Sequence, residues 1–218
     1  MKTDMTVGSP GRHIIMFTIP LLIGNIFQQF YNMADTLIVG RFLGVDALAA
    51  VGSSGSIVFF ITGFATGLTS GFSIILSQHY GAGDYEAVKK DFSAAIVMSM
   101  GITVVLTIGS LLLSRTFLQM MNTPENIIDE AYEYITIIYA GLFSTILFNL
   151  FSNVMRAIGD SKMPLIFLII ACIVNIILDV VFIASFGMGV AGAAYATVIA
   201  QVISVICCIW HITKKMEL

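Results

Sequence analysis

Along the chain, long apolar runs alternate with short connectors rich in glycine and charge. The runs cover about residues 14–42, 48–79, 92–113, 131–154, 163–185 and 191–212. Each reaches or exceeds the ~20 apolar residues a helix needs to cross the hydrocarbon of a bilayer. The connectors are Gly44-Val45-Asp46, Gly81-Ala82-Gly83-Asp84, Asn122-Thr123-Pro124-Glu125, Gly159-Asp160-Ser161-Lys162 and Gly187-Met188-Gly189. Their turn residues and brevity predict six helices, most of them antiparallel to their chain neighbours. The expected fold class is all-α and integral to a membrane, with residues 1–218 forming a single six-transmembrane-helix bundle. No internal repeat, low-complexity stretch or long linker divides it.

Polar positions inside the runs fall in stripes. The first span carries Asn25, Gln28, Gln29, Asn32, Asp35 and Thr36, stepping by three or four residues along one face. The fifth places Asn175 one turn before Asp179, and the sixth carries Thr197, Gln201 and Ser204 at helical spacing. Polar side chains in hydrocarbon face a bundle interior or a wet cavity, so these faces are expected to line one cavity, with Gln28, Asn32 and Gln201 among its candidate lining residues. The fourth span ends in Asn149, Ser152, Asn153 and Arg156. The second bears Thr62, Thr66, Thr69, Ser70, Ser73 and Ser77, a weaker signal because hydroxyls bond back to their own helix. Gly63, Gly67 and Gly71 on that span predict a small-residue seam where another helix approaches closely.

Composition agrees with a chain in lipid: 58% of the 218 residues are hydrophobic and 11% charged, with a mean hydropathy of +0.97. That leaves too little polar surface to coat a soluble globule. The formal net charge of −3, with basic residues scattered rather than massed, excludes nucleic acid as a partner. Distribution of the basic residues sets the expected orientation. With both termini cytoplasmic, Lys2, Arg12, Lys89, Lys90, Arg156, Lys162, Lys214 and Lys215 lie inside and Arg41 and Arg115 outside. The chain is thus expected to be a multi-pass protein of a cell (inner or plasma) membrane. The apolar run after Arg12 is too long for a signal peptide and lacks a convincing cleavage site, so it is expected to be retained.

Depth narrows the candidate chemistry. In this topology Asp35, Asp179 and Thr197 each lie about six residues, or roughly 9 Å, from the outer helix ends. Two carboxylates with amide and hydroxyl oxygens at one level suit a proton or a hard cation such as Na⁺. No other cofactor or metal is expected. Cys172, Cys207 and Cys208 lack metal-like spacing, and His13, His79 and His211 are expected at helix ends as interfacial residues. There is no HExxH, GxSxG or P-loop lysine motif, so the chain is not expected to be an enzyme, and any transport is driven by an ion gradient or a separate subunit.

Several runs resemble the MATE family of multidrug and toxin extrusion transporters. They are Pro20-Leu21-Leu22, Ala34-Asp35-Thr36, Gly44-Val45-Asp46-Ala47-Leu48-Ala49-Ala50-Val51 and Ser77-Gln78-His79-Tyr80-Gly81-Ala82-Gly83-Asp84, followed by the run from Arg156 to Pro164, Asn175-Ile176-Ile177-Leu178-Asp179 and the run from Gly189 to Thr197. The resemblance covers essentially the whole chain and matches the N-terminal six-helix lobe of a twelve-helix transporter. It implies antiport of amphipathic or cationic compounds against H⁺ or Na⁺. It also implies a cation site at Asp35, Asn175, Asp179 and Thr197, of which depth also selects Asp35, Asp179 and Thr197. The second lobe is absent from the sequence. The expectation is a truncated or split product that does not transport alone and needs a C-terminal lobe, the alternative being two copies pairing as a half-size transporter. Other readings are a non-transporting fragment or scaffold, and a lipid-linked saccharide flippase of the same superfamily.

Overall fold

The computed structural model describes residues 9–215. Lys2 lies outside the described residues, and so do the side chains of Arg12, His13 and Lys215. The described residues form a succession of helices: α1 (Pro10–Phe42), α2 (Val45–Gly81), α3 (Tyr85–Met120), α4 (Ile128–Ala140), α5 (Leu142–Ala157), α6 (Lys162–Asp179) and α7 (Gly189–Lys215), with a π-helical turn over Val180–Ser185. Five helices are long and apolar enough to cross a membrane, and α4 with α5 makes a sixth span bent by 47°.

Local chemistry explains where the helices stop. Gly83 adopts φ 74, which a side chain resists, and Asp84 behind it accepts the Ala87 N–H at 3.0 Å to start α3. Asp160 likewise accepts the N–H groups of Lys162 and Met163 at 3.2 and 3.1 Å, satisfying the first turn of α6. In α2 the hydroxyls of Thr62, Thr66, Thr69, Ser73 and Ser77 all bond to carbonyls three or four residues back on their own helix. The α3 helix runs well past the 92–113 expected, because Asp84 rather than hydropathy sets its start.

Three expectations change. The fourth span is not one continuous helix over 131–154 but breaks at Gly141, where a Cβ would overlap the Val198 side chain of α7. Glycine lets the two backbones approach, and the helix axis turns to follow. Secondly, the Gly63, Gly67 and Gly71 seam receives no helix among the described residues, since a Cβ at any of the three meets nothing within 4 Å. The face of α2 that packs is the neighbouring one, carrying Ile61, Ala65, Thr69 and Leu76. Thirdly, His211 is buried rather than interfacial, 3% exposed, with Nε2 3.4 Å from Asp160 Oδ2 and its ring edge-on to Phe167. His79 does sit at a helix end, 2.5 Å from Asp91.

α5 and α7 form the centre. Around them an apolar cluster built on Leu76, Leu150, Met155, Phe167 and Cys208 fills the end of the bundle that carries Arg156 and Lys214. A second cluster, built on Ile61, Leu118, Ile135, Tyr139 and Leu142, fills the opposite end. α1 is the least enclosed element, with 6% of its apolar window buried. It packs mainly on α6 and touches α2, its chain neighbour, much less.

Candidate cation site

The expected site residues come from three helices. Asn175 and Asp179 are one turn apart on α6 and both are fully buried at 0% exposure, while Asp35 of α1 is 9% exposed. The carboxyl groups of Asp35 and Asp179 approach closely enough to interact electrostatically. Asp35 Oδ1 and Asp179 Oδ1 are buried and have no hydrogen-bond partner among the described residues. Asp179 closes the regular part of α6, and the π turn begins at the next residue. Such turns interrupt helices frequently at functional positions.

Asn175 ties this pair to α7. Its amide is oriented with Nδ2 toward Asp179, since the reverse would set oxygen against a carboxylate oxygen. Nδ2 then donates to Asp179 Oδ2 at 3.0 Å, and Oδ1 accepts from the Thr197 backbone N–H at 3.2 Å. The Thr197 hydroxyl in turn accepts from Tyr31 Oη at 3.2 Å. Tyr31 lies one turn before Asp35 on α1, so the tyrosine and the carboxylate clasp the α6–α7 pair together. Tyr134 of α4 lies close enough to Asp35, Tyr31 and Asp179 to interact with them electrostatically.

The polar stripe of α1 therefore divides. At about 100° per residue, Asp35 lies at the stripe's edge with Tyr31 just beyond it, and that edge turns inward. Gln28, Asn32, Asn25 and Gln29 are exposed on the outer side. Asn25 and Gln29 line a groove of about 430 Å³ with Leu22, Ile26, Phe30 and Met33. Gln201 is half-buried and accepts a hydrogen bond from Thr145 of α5, so it faces the lobe interior. Tyr31 and Tyr134 were not singled out from the sequence. Tyr31 had one signal, its place four residues before Asp35, whereas Tyr134 had none.

Among the described residues no group of three or more His, Cys, Asp or Glu gathers to hold a metal. The donor set at Asp35 and Asp179 is two carboxylates supported by an amide and hydroxyls, which fits a proton or a monovalent hard cation. Two bare carboxylates this close and this buried repel one another, and a proton or Na⁺ between them removes the repulsion.

Comparison with known proteins follows this geometry. The family model described as MatE matches residues 20–181. A probable multidrug resistance protein of Bacillus subtilis, YpnP, is 34% identical over 211 residues, covering 97% of this chain and 47% of that protein. The FAD transporter of Shewanella oneidensis is 26% identical, covering 89% of this chain and 44% of that protein. A solved structure described as MATE in the bent conformation superposes with a TM-score of 0.90 at 30% identity, over 97% of this chain and 47% of the other. The chain thus spans about half the length of the relatives it matches. Because the family model covers most of the chain and the superposition nearly all of it, this six-helix protein belongs to the MatE family.

Proposed function

We propose that this lobe binds a coupling cation, H⁺ or Na⁺, between Asp35 and Asp179, and that with a second six-helix lobe it exports amphipathic or cationic compounds in exchange for that ion. The observation that carries the reading is the interacting pair of buried carboxylates from α1 and α6, each with an oxygen that has no hydrogen-bond partner among the described residues. Asn175 and Thr197 hold Asp179 in place, and Tyr31 links α1 to the same set. Ion binding then fixes the loosely packed α1 against α6 and α7, and ion release frees it.

The face of α1 turned away from the bundle supports a second lobe. Gln28, Gln29 and Asn32 are exposed at mid-span, where lipid leaves amides without partners and a wet cavity between lobes provides them. The names of matched relatives, multidrug resistance proteins and a FAD transporter, describe movement of such solutes by those proteins. The basic end of the bundle, with Lys89, Lys90, Arg156, Lys162 and Lys214, is read as cytoplasmic. Ethidium export by cells making the full natural protein that carries this lobe tests the reading. Asp35→Asn and Asp179→Asn should each abolish ion-driven export, and unchanged export at equal protein level would refute it.

A further inference from the structure

Polar side chains continue inward from the carboxylate pair through the lobe. Gln201 lies one turn beyond Thr197 on α7, and its Oε1 accepts from Thr145 Oγ1 on α5. The Thr145 carbonyl accepts from Asn149 Nδ2 at 2.8 Å. A turn further, Asn153 donates to Thr69 Oγ1 at 3.3 Å and Ser70 Oγ at 3.2 Å on α2. Its Oδ1 accepts from Arg156 Nη1 at 3.0 Å. At 1.5 Å per residue, the step from Thr197 to Gln201 and the run from Thr145 to Arg156 together cover about 22 Å, most of a bilayer's hydrocarbon thickness.

Two features separate this spine from ordinary packing. Amides and hydroxyls on α7, α5 and α2 meet across helix boundaries, with Thr69 and Asn153 buried at 1% and 8% exposure, whereas the Thr62 and Thr66 hydroxyls of α2 bond only to their own helix. The spine also ends on a cation. Arg156 Nε is buried without a partner, and among the described residues Arg156 forms no ion pair. An arginine with no carboxylate beside it keeps its full positive field.

We propose that this spine is the route by which the coupling cation passes between the Asp35–Asp179 pair and the cytoplasm, with Arg156 as the electrostatic barrier at its inner end. The inference rests on the cation reading given above. Oxygens of Gln201, Thr145, Asn153, Thr69 and Ser70 replace part of a cation's hydration or hold a chain of water for a proton. The ion leaves as it arrived, as Na⁺ or as H⁺ on water, and no spine side chain gains or loses a proton overall. Arg156 repels a stray cation, as arginines lining selective pores do, and passage requires its bond to Asn153 to open.

The test uses the full natural protein in proteoliposomes, with entrapped pyranine for H⁺ and radioactive Na⁺ in a parallel arm, and ethidium as substrate. Gln201→Met and Thr145→Val delete the same bond from opposite sides, and Thr62→Val, whose hydroxyl bonds only its own helix, is the control. Ethidium-driven ion flux should fall at least tenfold in both spine variants, with ethidium affinity and melting temperature unchanged. Arg156→Gln should raise ion leak without ethidium. Wild-type flux in either folded spine variant overturns the route, and unchanged leak in Arg156→Gln overturns the barrier. If Asp179→Asn keeps coupling, the cation reading falls and the spine with it. If Asp179→Asn abolishes coupling while Gln201→Met and Thr145→Val run as wild type, the spine alone falls.

Discussion

Replacing Asp179 by asparagine removes one negative charge while keeping the side chain's shape. Asn175 Nδ2, 3.0 Å from Asp179 Oδ2, still finds an oxygen to donate to once the new amide is turned, so α6 keeps its anchor and the lobe should fold. What disappears is half of the charge of the proposed cation site. Two unit charges about 4 Å apart in a partly screened protein site, with an effective dielectric constant near 20, interact by about 4 kcal/mol. A cation seated between Asp35 and Asp179 loses roughly that attraction when one carboxylate becomes neutral. At about 1.4 kcal/mol per tenfold, the loss is on the order of a thousandfold in affinity. Scintillation-proximity binding of radioactive Na⁺ and ethidium efflux driven by an imposed pH or Na⁺ gradient measure it directly.

The same geometry predicts strong non-additivity. If both carboxylates act on one ion, as proposed, the Asp35→Asn/Asp179→Asn double variant should be no worse in ion-driven efflux than either single variant. Additive losses would mean that the two residues serve separate sites. Efflux by Asp179→Asn within threefold of wild type, at equal protein level and equal melting temperature, would show that the paired carboxylates do not hold the coupling ion.

Other substitutions test the surroundings. Tyr31→Phe deletes the 3.2 Å bond to Thr197 Oγ1 and should weaken cation binding by about 1 kcal/mol, less than tenfold, while Asp179→Asn weakens it far more; an equal loss would make Tyr31 a direct ligand. Gly141→Ala forces a methyl into Val198 of α7 and should destabilise the lobe by about 1–3 kcal/mol in detergent melting, with Val198→Ala restoring part of it. Failure of that rescue would place the bend's cause elsewhere. Gly67→Ala meets nothing within 4 Å and should stabilise the 218-residue chain by about 0.5–1 kcal/mol through helix propensity. A loss in the full natural protein alone would show that a second lobe packs on that seam.

The carboxylates were legible in the sequence because a charge inside an apolar run has so few tolerable positions. Asp179, flanked by Ile176, Ile177, Leu178, Val180 and Val181, has to face protein or water, and helical depth aligned it with Asp35 and Thr197 before any contact was known. The number of membrane spans followed from hydropathy for the same reason, with α4 and α5 together making the fourth. The expected seam at Gly63, Gly67 and Gly71 shows the limit of that logic. Periodicity says that three small residues share a face, and it does not say which helix meets that face. The π turn after Asp179 and the break at Gly141 were illegible for a related reason. The break answers Val198, a neighbour brought near by the fold, and a lone glycine in an apolar run is compatible with an unbroken helix.

The division of the α1 stripe carries the same lesson into the site. Six polar residues on one face read as a single wet side, yet only the edge bearing Asp35 turns into the lobe, because α1 packs chiefly on α6 through that edge. Tyr31 then joins the site from a position where an aromatic residue is ordinary in a membrane span. Gln201 joins the interior through Thr145, whose place on α5 depends on the bend at Gly141. A polar residue's helix and depth can be read from sequence spacing. Which of two adjacent faces it serves is set by a helix-packing angle, and here that angle depends on contacts between residues more than fifty positions apart in the chain, such as Thr145 with Gln201.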